Sequence, residues 1–359
     1  MGFDQKVDRA GNLQSCKDLL KFQALFSKHF AWSIVRDFGA DGEKTVATAL
    51  RRYGMYRGDN IKANVAAAGA PVTARSIVEN WDAADYHMGT ELGTVAASGN
   101  DQEVTVTMSG TPEWTYWKAQ ERGLDLARLY YSEVLPGIAK ALGAEVLFDV
   151  SGLTLDSPWR VTWRVASAAA GADATVHSHI FDDDDRATDM ARRTSMNNGA
   201  LYYFCADEET KKFDMLGEGK LREAVRALAW ERADGQIEWH SEMGWQLNVE
   251  TLMDHWDGQL VSIWQFAPGI LTEGTWHQDC TWCPYAAAWE GLGKRALDLG
   301  YLYDYELHPT YYKRYHPEMI VQFEAIKTRG DSMCKFRVSL PSKQKPGEPA
   351  FPGYTGGDV

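Results

Sequence analysis

The last third of the chain opens with HQDCTWCPYAAAW at residues 277–289 and closes with GDSMCKFRV at residues 330–338. Three of the five cysteines and three of the nine histidines lie within residues 277–338. Thiol, imidazole and carboxyl side chains supply many of the nucleophiles, proton carriers and metal ligands in proteins. We therefore expect the chemistry of this protein in this stretch.

Four segments of the first half recur in the same order in the second half, about 175 residues later. The matched pairs are residues 42–61 with 219–237, 111–117 with 283–289, 125–136 with 298–309, and 155–163 with 330–338. One such match could arise by chance, whereas four in order indicate an internal duplication. The sequence therefore predicts two related units.

Local periodicity predicts the elements of these units. Apolar residues at helical spacing predict helices over 42–58 and 120–142, and alternation predicts a strand over 103–108. Residues 145–150 and 159–165 indicate a pair of strands. We predict an α+β fold with two pseudo-repeats, each of helices packed on an antiparallel sheet.

The predicted organisation has four parts. Residues 1–165 form a degenerate N-terminal repeat that is structural or lines a pocket, and residues 166–190 form a linker. Within the linker, HSHIFDDDD (177–185) could bind a metal, although a solvated acidic loop is the commoner outcome for such a run. Residues 191–340 form the C-terminal repeat with the site, and residues 341–359 form a tail that is mobile or draped over the surface.

The two predicted repeats differ in their reactive groups. The second repeat has sulfur or imidazole where the first has less reactive side chains, and the aligned pairs are Cys283 with Thr111, Cys334 with Trp159, and His308 with Leu135. We therefore expect the second repeat to carry the activity and the first to support it.

Composition excludes some partners. The net charge of −13 argues against nucleic acid and against an anionic membrane surface, because both attract basic proteins. The N-terminus has no signal-peptide pattern, and no apolar run is long enough for a transmembrane helix. An odd number of cysteines without a signal is typical of free thiols in the cytoplasm.

The span from Asp279 to Val338 resembles the L-2-amino-thiazoline-4-carboxylic acid hydrolase family. The matching residues are Cys283-Pro284-Tyr285, Trp289-x-x-Leu292-Gly293, the acidic helix around Asp304 and Glu306, His316-Pro317, and Gly330-Asp331-x-x-Cys334-x-Phe336. The strict match covers about a sixth of the chain. The resemblance implies hydrolytic opening of a small heterocycle. In the activity that gives the family its name, the heterocycle is a thiazoline ring that is opened on the way to cysteine. The helix-then-sheet layout also resembles four-vinyl-reductase and TRAPP-type small-molecule-binding domains. This chain departs from a plain family member in its length, its fourteen tryptophans and its apparent doubling.

Cys283 is the candidate nucleophile, because cysteine is the least demanding nucleophile to activate. The alternative role for Cys283 is a small buried apolar residue. His277 or His308 is the candidate base, and either could instead be a hydrogen-bonded structural histidine. Asp331 would orient the base or carry a proton, unless it is a turn residue after a glycine.

Aromatic side chains near these groups are candidates for stacking a flat substrate. The predicted substrate-binding residues are Trp239, His240, Trp282, Tyr285, Trp289 and Tyr303. Asp304 and Glu306 are two residues apart, so on a helix only one of them can face inward.

A metal site is the alternative use of the cysteines. His277, Cys280 and Cys283 have metal-ligand spacing, and Cys334 or His308 could complete a zinc site that generates hydroxide. We nevertheless expect no cofactor, because structural zinc sites usually have two such pairs of ligands. A redox disulfide between Cys280 and Cys283 is a third interpretation, and no thioredoxin-like context surrounds it.

These observations predict a cytoplasmic hydrolase, or a related lyase, that acts on a small cyclic substrate with the help of Cys283. The second enzyme hypothesis is a cofactor-free dehydratase or isomerase that uses acid–base residues without a covalent step. A hypothesis from another class is a non-catalytic, sensor-type protein that binds a small molecule. In each case we expect the partner to be a small molecule and not nucleic acid or a membrane. The sequence does not decide whether the protein forms a homo-oligomer.

Overall fold

The structure is a computed structural model that describes residues 9–85, 94–176, 183–257 and 263–349. The chain divides into two compact units, and the described residues fall into 9–212 and 213–349. Helices and antiparallel sheets occur in both, which confirms the predicted α+β class. None of the described helices is long and apolar enough to cross a membrane. His177 and His179, the histidines of the predicted acidic loop, lie outside the described residues.

In its described residues, the first unit contains five α-helices, a five-stranded sheet and the start of a sixth helix. Its helices are α1 (Arg9–Phe26), α2 (Ser33–Ala67), α3 (Ala74–Glu79), α4 (Pro112–Lys118) and α5 (Gly123–Leu142), with a π-helical stretch, Ser27–Trp32, between α1 and α2. Its strands are β1 (Thr94–Gly99), β2 (Glu103–Ser109), β3 (Glu145–Phe148), β4 (Trp159–Arg164) and β5 (Ala174–Val176). The strand order is β3-β4-β2-β1-β5.

One face of this sheet is buried because every second side chain of a strand points the same way. The buried cross-strand pairs of β2 and β4 are Val104 with Trp163, Val106 with Val161, and Met108 with Trp159. The strand predicted over 103–108, the strand pair β3 and β4, and the helix over 120–142 are confirmed. Large aromatic residues thus fill the core of the first unit.

The second unit has a similar but not identical order of helices and strands. Helix α6 (Asp184–Glu242) runs into it, followed by α7 (Val249–Asp254), α8 (Pro284–Leu292) and α9 (Lys294–Tyr315). Its strands are β6 (Gln265–Phe266), β7 (Ile270–Leu271), β8 (Thr275–His277), β9 (Cys280–Trp282), β10 (Ile320–Ala325) and β11 (Lys335–Ser339). They form a four-stranded sheet, β10-β11-β8-β7, and a two-stranded sheet, β6-β9.

The boundary between the units differs from the predicted linker at 166–190. It lies between Lys212 and Phe213, inside α6. Within the predicted linker, β5 pairs with β1, and the acidic run continues into a helix. Asp183 accepts a hydrogen bond from the backbone N–H of Arg186, and further aspartates occupy the first turn, where the helix dipole favours negative charge. An acidic cluster therefore starts a helix here.

The described part of the predicted tail, residues 341–349, folds back beside β8. The hydroxyl of Thr275 donates a hydrogen bond to the Glu348 carboxylate at 3.0 Å, and the Gln344 amide donates to Thr275 at 3.2 Å. A short 3₁₀ turn, Pro341–Lys343, begins the segment. This part of the tail therefore lies against the second unit, as in the second of the two alternatives predicted for it.

The long helices of the two units break in the same way. Helix α2 is interrupted at Gly39, with φ 56° and ψ −132°, and α6 at Asp214, with φ 54° and ψ −132°. A positive φ is strained for any residue except glycine, so Asp214 carries a cost that Gly39 does not. The two breaks are 175 positions apart, close to the offsets between the matched segments of the sequence.

A buried arginine also occupies equivalent positions in the two units. Arg57 pairs with Asp82 at 2.8 Å and lies 5.4 Å from the ring of the tryptophan that precedes this aspartate. Arg232 pairs with Asp257 at 2.8 Å and lies 5.5 Å from the ring of the tryptophan before it. The internal duplication remains a prediction, and these correspondences agree with it.

Candidate functional site

A cavity lies within the second unit, with α8, α9 and strands β6, β8 and β9 contributing to its wall. The volume open to the centres of water-sized molecules is about 50 Å³. One water needs roughly 10–15 Å³ by this measure, so the cavity has room for a few waters or a small ligand. Nine of the eighteen described lining residues are Trp, Tyr or Phe, and three are cysteines. The wall is therefore mostly aromatic, with few polar groups.

The aromatic wall depends on close packing of α8 against α9. Tyr285 and Trp289 lie one turn apart on α8, and both contact Tyr303 of α9, with ring centroids 6.1 Å and 5.7 Å away. Gly300 allows this approach, because a Cβ at that position would lie 2.2 Å from the Trp289 ring. Three of the predicted substrate-binding residues, Tyr285, Trp289 and Tyr303, thus line the cavity.

Cys283 lies at the start of α8 and lines the cavity. Pro284 follows it in the first turn, where the missing N–H of proline costs no helical hydrogen bond. Cys283 keeps partial accessibility, whereas Cys280 and Cys334 are buried. Burial raises the pKa of the Cys283 thiol to about 11, and a hydrogen bond from the Ala286 amide opposes this shift. At neutral pH the thiol is protonated, so a nucleophilic role requires a base.

Helix α9 carries an acid–base pair on the side that faces the cavity. Oδ1 of Asp304 lies 3.6 Å from Nε2 of His308, one helical turn further along. The Thr328 hydroxyl donates a hydrogen bond to Oδ2 of Asp304 at 3.1 Å. The His308 ring packs against Phe336, with centroids 4.5 Å apart. The carboxylate and the imidazole are thus both held in position in the wall.

Cys280 and Cys334 form an antiparallel bridge in the cavity wall. The amide of each donates to the carbonyl of the other, at 2.9 Å and 3.0 Å. The Cys280 thiol donates to the Trp282 carbonyl at 3.2 Å, and the Cys334 sulfur accepts from the Lys327 amide at 3.4 Å. Burial raises the pKa of both thiols, so neither is a thiolate at neutral pH.

A buried cation also contributes to the wall. The Nε and Nη2 atoms of Arg232 donate to the two carboxylate oxygens of Asp257 at 2.9 Å and 2.8 Å. The guanidinium group also lies 5.2 Å from the ring of Tyr311. Because Asp257 neutralises Arg232, a bound ligand meets a compensated cation rather than an isolated charge.

The structure does not bring Asp331 or His277 to the cavity. Asp331 is exposed and follows Gly330, which has a φ of +96°, and its carboxylate accepts a hydrogen bond from the Ile326 amide at 2.8 Å. Asp331 therefore acts as a turn residue after a glycine, which was the alternative to its proposed role in orienting a base. His277 follows Trp276 on β8, and only Trp276 lines the cavity, because successive strand side chains point to opposite faces. Of the predicted bases, only His308 lines it.

Three of the predicted substrate-binding residues also lie outside the cavity lining. His240 is buried, with Nδ1 2.7 Å from the Tyr315 hydroxyl, which makes it a hydrogen-bonded structural histidine. Trp239 is 42% exposed and packs against Trp245. Trp282 ends β9 and is partly accessible.

The predicted zinc ligands are only partly assembled. Cys280, Cys283 and Cys334 line one cavity, whereas His277 does not. In the part of the chain that the structure describes, no group of three or more His, Cys, Asp or Glu side chains is arranged to hold a metal ion.

Sequence reasoning missed two polar residues of the wall, Asp304 and Arg232. For Asp304 the signal was present, because one of Asp304 and Glu306 was expected to face inward. Glu306 binds Arg222 and Arg226 at 2.6 Å and 2.7 Å instead, which leaves the inward position to Asp304. For Arg232 the signal that could have found it is a repeated spacing, because Arg57 precedes Trp81-Asp82 and Arg232 precedes Trp256-Asp257 by the same number of residues.

Comparison of the chain with protein-family models, with curated proteins and with solved structures finds no match.

Proposed function

We propose that the second unit is a hydrolase, or a related lyase, that opens a small ring containing a trigonal carbon bonded to nitrogen. The observation that carries this proposal is the presence of Cys283, Asp304 and His308 in the wall of one small aromatic cavity. The aromatic rings would stack a flat substrate. The motif resemblance around Cys283 supports the same reaction class.

In the proposed reaction, Sγ of Cys283 bonds to the trigonal carbon while His308 takes the thiol proton. The electron pair of the attacked double bond moves to the heteroatom of that bond, which is nitrogen in a cyclic amidine and oxygen in an imide or lactam. Collapse of the adduct re-forms that double bond and breaks the ring bond from the carbon to its sulfur or nitrogen leaving atom, which accepts the proton from His308. Water then attacks the carbon, its hydroxyl group replaces Sγ, and its remaining proton returns to the thiolate. The net change is the addition of one water molecule.

Asp304 has a defined part in this reaction. Its carboxylate lies 3.6 Å from His308 Nε2, so it would stabilise the imidazolium that forms when His308 takes the thiol proton. The hydrogen bond from Thr328 would keep the carboxylate in place. This assigns to Asp304 the orienting role that the sequence suggested for Asp331.

A second candidate is acid–base catalysis without a covalent step, as in a dehydratase or isomerase. The observation that favours it is that the Cys283 thiol shares the cavity wall with two proton acceptors, Asp304 and His308. Burial raises the pKa of this thiol to about 11, so at neutral pH it is protonated and can donate a proton while Asp304 or His308 accepts one from another atom of the substrate. The two candidates therefore differ in whether Cys283 becomes bonded to the substrate.

The experiment uses the full-length protein with 2-amino-thiazoline-4-carboxylate and a panel of small cyclic amidines, imides and lactams. Mass spectrometry follows the addition of one water to each probe. We expect at least one probe to be hydrolysed and the reaction to stop in Cys283→Ala. The matched control is Cys205→Ala, the same change at a buried cysteine of the first unit, which should leave turnover intact.

Quenched reaction mixtures separate the alternatives. A substrate-derived mass on Cys283 supports the covalent route, whereas turnover that survives in Cys283→Ser but is lost in Asp304→Asn supports acid–base catalysis. Tight binding of probes without turnover of any of them would contradict both catalytic candidates and favour a sensor-type protein.

We also propose that the protein is located in the cytoplasm, which its five free thiols support.

A further inference from the structure

Cys280 and Cys334 are far apart in sequence but directly opposite each other in the structure. Each donates its amide hydrogen to the carbonyl of the other, at 2.9 Å and 3.0 Å. Residues that exchange both hydrogen bonds in an antiparallel pair have Cα atoms about 5.5 Å apart. Disulfides need Cα atoms about 4.4–6.8 Å apart, so the backbone already satisfies the main distance requirement.

The side chains of Cys280 and Cys334 also face the same cavity. Opposed residues of an antiparallel pair lie on one face, and both cysteines line the same cavity. Both are buried, at 4% exposure each, so a small oxidant that enters the cavity meets both sulfur atoms. Neither thiol is committed to a metal site in the described part of the chain.

Cys283, the third cysteine of the cavity, is badly placed to bond with Cys280. The backbone from Cys280 to Cys283 is extended, because β9 covers residues 280–282 and Cys283 has φ −127° and ψ 125°. Three residues of extended chain separate Cα atoms by roughly 10 Å, which exceeds the disulfide range. The Cys-x-x-Cys spacing in the sequence therefore does not identify the pair.

We propose that Cys280 and Cys334 are an oxidisable pair that forms a reversible disulfide in the cavity wall when a hydroperoxide enters. One sulfur, as thiolate, attacks the peroxide and becomes a sulfenic acid, releasing water or an alcohol. The other thiol then attacks that sulfur and releases a second water. Two thiols lose two electrons and two protons, and the peroxide is reduced.

The burial of Cys280 and Cys334 determines how fast the disulfide forms and how fast it is reduced. Burial raises the pKa of both thiols, so little thiolate is present at neutral pH and oxidation is slow. A thiol with a high pKa is also a poor leaving group, so reduction is slow as well. The disulfide is therefore expected to persist once formed, and it covalently joins β9 to the start of β11.

This inference does not depend on the proposed hydrolase, because it needs only the two thiols and their cavity. The test treats the full-length protein with hydrogen peroxide, removes the peroxide, unfolds the protein in the presence of N-ethylmaleimide so that every remaining thiol is blocked, and maps disulfide-linked peptides. Trypsin places Cys334 in the peptide 330–335, and cleavage after Trp282 separates Cys280 from Cys283. The three possible pairings of the cavity cysteines thus give different masses.

We expect the loss of two thiols, a linked peptide between Cys280 and Cys334, and recovery of both thiols with dithiothreitol. The same link should form in Cys283→Ser, which removes the third cavity cysteine as an intermediate. In Cys334→Ser, Cys280 should remain free or become a sulfenic acid. A link from Cys283 to either partner, or oxidation of the wild type without an internal disulfide, would overturn the proposal.

Discussion

Asp304 and His308 lie one turn apart on α9, with Oδ1 3.6 Å from Nε2, and both side chains contribute to the wall of the cavity. Their spacing of four residues places them on one face of the helix. Cys283 reaches the same cavity from the start of α8. The proposed nucleophile, base and carboxylate thus come from two helices that pack directly against each other.

Replacing Asp304 with Asn should reduce turnover of a hydrolysed probe. The amide cannot stabilise a charged His308, so we expect kcat/KM to fall by about 100-fold. The matched control is Asp298→Asn on the same helix, where the aspartate is exposed and paired with Lys294. Steady-state kinetics of both variants check this prediction, and equal rates for Asp304→Asn and the wild type would exclude the proposed role.

Gly300 should be intolerant of a side chain. A Cβ at this position would lie 2.2 Å from the Trp289 ring, so Gly300→Ala must displace part of the aromatic wall and should destabilise by about 1–3 kcal/mol. The control is Gly291→Ala on α8, where the added Cβ meets open space and should stabilise by about 0.5–1 kcal/mol. Denaturant unfolding followed by tryptophan fluorescence measures both. Similar effects at the two positions would contradict the packing of α8 against α9.

Glu113 in the first unit should make stability depend on pH. Burial raises its pKa to about 8, so the folded protein holds a proton that the unfolded chain releases near its ordinary pKa of about 4.5. The stabilising contribution of this proton is fully present below pH 4.5 and is lost as the pH rises through 8. We expect Glu113→Gln to flatten the fall in thermal midpoint between pH 5 and pH 8.

The matched control for this prediction is Glu121→Gln, the same change at an exposed position. Its thermal midpoint should follow the wild type across the pH range. If Glu113→Gln also follows the wild type, the carboxyl group of Glu113 does not carry a raised pKa in the folded protein.

Features that depend on local sequence could be predicted. The alternation of Val104, Val106 and Met108 predicts β2, and the apolar spacing over residues 120–142 predicts α5. The duplication, with its reactive groups in the second repeat, stays a prediction. The two confirmed elements needed only periodicity.

Features that depend on which face a residue occupies could not be predicted. Asp331 follows a glycine near Cys334 in sequence, but the turn needs its carboxylate for the Ile326 amide. His277 is one residue from a cavity-lining tryptophan and points to the opposite face of β8. The pairing of Cys280 with Cys334 depends on contact between segments 54 residues apart, which no local pattern reveals.

Alkylation of the native protein with iodoacetamide tests most directly whether Cys283 is the reachable thiol of a ligand cavity. Peptide mapping gives the rate at each of the five cysteines between pH 7 and pH 9. We predict that Cys283 reacts at least about tenfold faster than the four buried cysteines, and that its rate rises about 100-fold over this range, because its pKa is about 11. An unreactive Cys283 in a protein whose other thiols are labelled would contradict the account.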